Sequence, residues 1–158
     1  ENCLIKTFKK NENIDYVTAD LNSPLADIKM DIHNMPFDEN LFDIVICNHV
    51  LEHVEDDIKA LNEIKRVLKK GGKGILQVPF YFPIPEITIE DKNVKKGVER
   101  EKLYGQSDHV RKYGKDYKKR LSSVGLKVDK IQSNNFLEED EINRYGIDEK
   151  EDLYQVTK

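Results

Sequence analysis

The spacing of apolar residues changes several times along this chain, and each change marks an element. Cys3, Leu4 and Phe8 stand near helical spacing among lysines and predict the end of an amphipathic helix. Residues 14–21, IDYVTADL, alternate enough to predict a strand ending at Asp20, with Asn22-Ser23-Pro24 as the turn after it. Residues 26–32, ADIKMDI, predict a second short strand. Phe42 to Cys47 is dense in apolar and β-branched residues and predicts a third, buried strand, broken at Asn48 by the polar segment NHVLEH. From a cap at Asp56 or Asp57, Ile58, Leu61, Ile64, Val67 and Leu68 recur at spacings of three and four. They predict a helix with Lys69 and Lys70 at its carboxyl end and Gly71-Gly72 as its stop. The nearly continuous apolar content of residues 74–80, GILQVPF, predicts a strand buried on both faces.

Residues 81–112 have no clear period, contain Pro83 and Pro85 and carry the charged run EDKNVKKGVEREK, which predicts a solvated, mobile cover. Asp116 to Val124 predicts a second helix stopped at Gly125, and LKVDKIQ and EDLYQVTK predict two closing strands with a charged insert between them. No internal repeat is visible. Strand, strand, strand, helix, strand, helix, strand, strand is the order of an α/β sheet with parallel crossovers and an antiparallel end.

Bulk properties narrow the function classes. A chain of 158 residues is one domain's worth. Lys plus Arg number 26 against 30 Asp plus Glu, a net charge of -4, so nothing favours a nucleic-acid backbone as partner. The longest apolar stretches fall far short of the roughly 20 residues that span a bilayer. Cys3 and Cys47 have no CxxC spacing, which suggests neither a disulfide framework nor a thiolate metal site and fits a reducing cytoplasm. The opening ENCLIKTFKK lacks the apolar core of a signal peptide and begins without Met, as if already inside a helix.

Candidate chemistry gathers at the break after the third strand. Ligands of open α/β sheets bind beyond the carboxyl ends of the strands, which is where Asn48, His49, Glu52 and His53 fall. His49, Glu52 and His53 also match H-x-x-E-H, a spacing in which two histidines bind zinc and the Glu activates water, so a metal-dependent hydrolase is a remote alternative. That chemistry wants a longer helix and a later third ligand; no metal is expected, and polar residues capping a helix and lining a cleft are the favoured reading.

The passage from DIHNMPFDENLFDIVICNHVLEHVEDD to LNEIKRVLKKGGKGILQVP resembles class I S-adenosylmethionine-dependent methyltransferases of the small-molecule, methyltransferase-11-like type, and GQSDHVRKYGKDYKKRLSSVGLKV resembles the late helix and strand of that family. The resemblance implies a Rossmann-like sheet, mostly parallel with an antiparallel carboxyl-terminal strand, forming a single domain over residues 1–158. It implies S-adenosylmethionine as cofactor, S-adenosylhomocysteine as product and a small molecule as acceptor, with residues 81–112 shaping the acceptor's pocket. Asp20, followed by Leu21, would accept hydrogen bonds from the donor's ribose; its alternative is a turn aspartate. Asp31 would face the adenine amino group with Ile32 covering the ring; the alternative is a surface Asp and a core Ile. Asn48 and His49 would lie under the sulfonium and its amino-acid tail, against a helix-capping role for Asn48. The family's first strand and glycine-rich turn have no counterpart here, since no Gly precedes Gly71. The expectation is a chain truncated at its amino terminus, inactive on its own, with unpaired strand edges that invite a homodimer. If the acceptor must lose a proton, Asp108-His109 is the candidate pair, although adjacent residues of an extended segment point opposite ways. Arg111 and Tyr113 would contact the acceptor. The second hypothesis is an interaction module of the same fold without catalytic activity.

Overall fold

The computed structural model describes residues 2–147 and 152–158, in two compact units, Glu1–Pro36 and Phe37–Lys158. In the first unit, helix α1 (Asn2–Lys9) is followed by two short parallel strands, β1 (Ala19–Asp20) and β2 (Ile28–Lys29). Both expected strands shrink to two residues. Asp27 explains the pairing: its Oδ2 accepts from the Thr18 backbone N–H at 2.9 Å and hydroxyl at 2.6 Å, while its own N–H donates to the Thr18 hydroxyl oxygen at 3.0 Å. Lys9 adds an ion pair to the same carboxylate at 2.8 Å, tying the helix to the strand pair. Asp20 and Leu21 stand at the carboxyl end of β1.

The second unit begins with β3 (Phe42–Asn48), α2 (Asp57–Val67) and β4 (Leu68–Gln77). Asp56 caps α2 by accepting from the Lys59 N–H at 2.9 Å, and Ala60, Leu61, Ile64 and Val67 form its buried stripe. The helix ends at Val67, not at Gly71-Gly72. The backbone N–H groups of Asn40 and Leu41 take the carbonyls of Arg66 and Val67 at 2.9 and 2.8 Å, so the chain has its hydrogen bonds without another helical turn. Lys69 and Lys70 therefore lie in a strand. Gly71, at φ 77°, belongs to the register shift that separates the Phe42–Leu68 pair from the Ile44–Lys73 pair.

Next come β5 (Ile89–Glu90), α3 (Gly97–Tyr104), β6 (Arg111–Lys112), α4 (Tyr117–Ser123), β7 (Lys127–Gln132), α5 (Glu139–Tyr145) and β8 (Asp152–Thr157). The expected mobile cover thus contains a helix and a small antiparallel ribbon, β5 with β6. The closing helix and two closing strands fall where the pattern puts them; Glu151, the first residue of EDLYQVTK, lies outside the described residues. The main sheet runs β3-β4-β8-β7, with β3 parallel to β4 and β8 antiparallel to both neighbours.

One expectation about these strands is corrected. β4 alternates, with Gly72, Gly74 and Leu76 buried and the residues between them not, and β3 leaves Ile44 62% and Ile46 36% exposed. Only one face of each strand is covered well, and β3 has a single strand neighbour among the described residues. The covered face meets Leu61, Ile64, Leu121 and a cluster of rings in which Tyr117 lies 4.8 Å from Tyr113 and 4.9 Å from Tyr154.

Candidate functional site

At the carboxyl end of β3 the chain turns sharply. The His49 N–H closes the ladder on the Gln77 carbonyl at 2.9 Å, and His49 then adopts φ 53°, a left-handed conformation that costs a non-glycine residue on the order of 1–3 kcal/mol. The turn drives Leu51 and Glu52 inward and leaves His49 and His53 nearer the surface. Glu52 is only 1% exposed.

A distant segment is clamped onto this loop. Arg111, itself buried, donates from Nη1 to the carbonyls of Leu51 at 2.6 Å and Val54 at 2.5 Å, and from Nη2 to that of Glu55 at 3.1 Å. The Val110 N–H donates to the Glu52 carbonyl at 2.9 Å. The clamp brings His109, 1% exposed, against His53, with ring centroids 4.7 Å apart and near-perpendicular planes. Glu52 Oε1 lies 3.3 Å from His49 Nδ1 and 3.9 Å from His53 Nε2, and Asp108 Oδ2 lies 3.3 Å from His53 Nδ1. Asp108 thus orients His53 and not His109, which corrects the expected Asp108-His109 pair. Burial, reinforced by the neighbouring His53, holds the His109 imidazole below its ordinary pKa and keeps it neutral near pH 7.

Three polar atoms here are buried with no hydrogen-bond partner among the described residues: Asn48 Oδ1, Glu52 Oε2 and His109 Nδ1. Buried polar atoms are nearly always paired, so three orphans on one loop system mark a place built to meet something else. Arg111 and Tyr113, expected to touch the acceptor, are occupied instead. Besides its carbonyls, Arg111 meets Glu90 at 3.0 Å, and the Tyr113 hydroxyl donates to Asp57 Oδ2 at 2.8 Å. Arg120 completes that network with two bonds to Asp57, at 2.6 and 2.7 Å. Burial opposes ionisation of Asp57, but the Arg120 hydrogen bonds, the Arg111 charge and the Tyr113 hydroxyl outweigh it and hold the carboxyl below the ordinary range.

The other expected donor contacts lie in the unit Glu1–Pro36. Asp20 Oδ1 accepts from the N–H groups of Asn22 at 2.7 Å and Ser23 at 2.6 Å, and these bonds lower its pKa. This is the turn-aspartate geometry, and it uses one oxygen only. Asp31 Oδ1 accepts from the His33 N–H at 2.9 Å and lies 2.7 Å from His33 Nδ1; Leu21 is exposed and Ile32 half-buried.

A sheet order in which the last strand inserts antiparallel beside the parallel pair, with polar residues at the carboxyl end of β3, defines a class I methyltransferase fold. Residues 4–76 match the family described as methyltransferase domain. An uncharacterized protein of Methanocaldococcus jannaschii is 55% identical over 47 residues, 30% of this chain and 20% of the relative. Demethylmenaquinone methyltransferase of Staphylococcus epidermidis is 40% identical over 65 residues, 39% of this chain and 27% of the relative. Among solved structures, the complex between the Haloferax volcanii Trm112 methyltransferase activator and a methyltransferase superposes with a TM-score of 0.61 at 18% identity, covering 99% of this chain and 77% of that one. The chain has the class I methyltransferase fold, and its residues 4–76 are similar to methyltransferase domains. It spans well under two thirds of the length of the curated relatives it matches, 20% and 53% for the two from M. jannaschii. No helix of the described residues is long and apolar enough to cross a membrane.

Proposed function

We propose that the protein transfers the methyl group of S-adenosylmethionine to a small-molecule acceptor. The observation that carries this reading is the buried, unpartnered Asn48 Oδ1 at the carboxyl end of β3, an acceptor atom suited to the ammonium of the donor's amino-acid tail. His49, in its strained turn, adjoins it on the same side. Asp20 uses its free oxygen for the ribose hydroxyls, Leu21 lies beside it, and Asp31 and Ile32 serve the adenine. The acceptor occupies the far side of the turn, toward Glu52, His53 and His109, with Asp108 acting through His53.

Little acid–base machinery is required. The sulfonium is already activated, so holding acceptor, methyl and sulfur in line and excluding water supply much of the rate enhancement. An acceptor that must shed a proton sheds it toward the Glu52–His109 cluster.

The test is to incubate the protein at its full natural length with methyl-labelled S-adenosylmethionine and a small-molecule extract of its source cells. Label in a low-mass product is the expected outcome. Tight binding of S-adenosylhomocysteine with no transfer to any fraction would turn the assignment toward a non-catalytic interaction module.

A further inference from the structure

We propose that Glu52, His53 and His109 form a binding site for a divalent transition-metal ion of the zinc type. The inference rests on the reading above only in placing the ion at the acceptor side; its evidence is independent of the donor. One ligand atom from each residue lies within 4.8 Å of the other two. Around a single ion, with metal–ligand distances of about 2.0–2.2 Å, such atoms stand roughly 3–3.5 Å apart, so side-chain shifts of about 1 Å close the site.

The hydrogen bonds around the three residues leave the right atoms open. Asp108 Oδ2 stands 3.3 Å from His53 Nδ1, and the other ring nitrogen, Nε2, lies on the Glu52 side at 3.9 Å. The His109 ring bonds the Tyr104 backbone, and because Nδ1 has no partner, that bond belongs to Nε2. It leaves a lone pair on Nδ1. A carboxylate on one imidazole and a backbone carbonyl on the other are the outer contacts that fix tautomer and ring direction in metal-bound histidines. Glu52 supplies the charge: its carboxylate is buried, and Oε2 has no partner among the described residues. A buried carboxylate lacking a full complement of partners calls for a cation.

Two imidazoles and a carboxylate suit zinc and its neighbours better than magnesium, which prefers oxygen ligands. Three protein ligands leave a position for water or an acceptor oxygen, and an ion there would lower the pKa of whatever oxygen it held. His49, with Nδ1 3.3 Å from Glu52 Oε1, is close enough to support the carboxylate.

The test is calorimetric titration of Zn2+ into chelator-treated full-length protein, with Co2+ absorption as a second readout, and S-adenosylhomocysteine titrated in parallel into the metal-free protein. One ion per chain is expected, with affinity falling at least tenfold in Glu52→Gln and His53→Ala and unchanged in His33→Ala, the histidine outside the cluster. His53 is partly exposed, so its variant should fold even if a change at Glu52 or His109 does not. Co2+ bands of a four- or five-coordinate ion in wild type that weaken in His53→Ala would support the site. Failure to bind one ion, or equal loss in His33→Ala and His53→Ala, would overturn it. Either metal result stands whether or not S-adenosylhomocysteine binds, which separates this claim from the methyltransferase reading.

Discussion

Two buried polar clusters lie side by side at one end of α2, and they are built to opposite rules. Around Asp57, both carboxylate oxygens receive Arg120, the Tyr113 hydroxyl adds a third bond, and Arg111 is spread over three carbonyls and Glu90. Around Glu52, by contrast, one oxygen has only loose neighbours, the other has none, and His109 offers an open nitrogen. A saturated network holds shape: Arg111 fixes the loop on which Glu52 and His53 sit. An unsaturated one holds potential for a ligand, because its unmet polar atoms carry a desolvation cost that only a bound species relieves. The strongest charges in the unit thus serve as scaffold, and the weaker-looking cluster beside them is the candidate for chemistry.

Substitutions that neutralise each carboxylate should separate the two. Asp57→Asn leaves the buried Arg111 and the part-buried Arg120 with only the more exposed Glu90 as counter-charge and should cost about 3–5 kcal/mol in urea unfolding; a loss under about 1 kcal/mol would mean the network is no scaffold. The same carboxylate sets an acid limit. Its folded pKa lies below the ordinary 3.8, so its contribution is complete above pH 3.8 and is lost as pH falls through the lower folded value. Unfolding free energy of wild type should therefore drop more steeply below pH 3.8 than that of Asp57→Asn, and parallel profiles would remove Asp57 as the cause. Outside both clusters, Asp20→Ala should weaken S-adenosylhomocysteine binding by about 1.5–3 kcal/mol, the scale of a charge-assisted hydrogen bond, and unchanged calorimetric affinity would take Asp20 out of the donor site. The smallest effect belongs to Glu52→Gln. In metal-free protein it relieves a poorly compensated buried charge and should leave stability within about 1 kcal/mol of wild type. A loss as large as that of Asp57→Asn would show the clusters to be alike.

Much of this arrangement was legible in the chain because its signals are local. The break from Phe42–Cys47 into NHVLEH marks the ligand end of β3, and the recurrence of Ile58, Leu61, Ile64 and Val67 marks α2. Long-range bonds account for what was not legible. The end of α2 is decided by the N–H groups of Asn40 and Leu41, far from Val67 in sequence, so Gly71-Gly72 reads as a stop and is a bulge. The length of Ile14–Leu21 was overestimated because alternation marks a face, whereas pairing needs a partner, and only Ala19 and Asp20 have one in β2. His109 was visible as a candidate, but its neighbour was misassigned: sequence adjacency suggests Asp108, and only the Arg111 clamp brings Glu52 and His53 to it. One signal could have pointed there. A Glu amid the apolar VLEHV had to be buried with its loop, and a buried Glu needs partners, for which His109 and Arg111 were among the few candidates within the family-like segment.

The most direct test of the central claim is titration of S-adenosylhomocysteine into the protein at its full natural length, followed by calorimetry. One saturable site per chain is expected, with affinity weakened in Asn48→Ala. Absence of any binding heat at every temperature tried, together with no shift in thermal unfolding at saturating ligand, would contradict it.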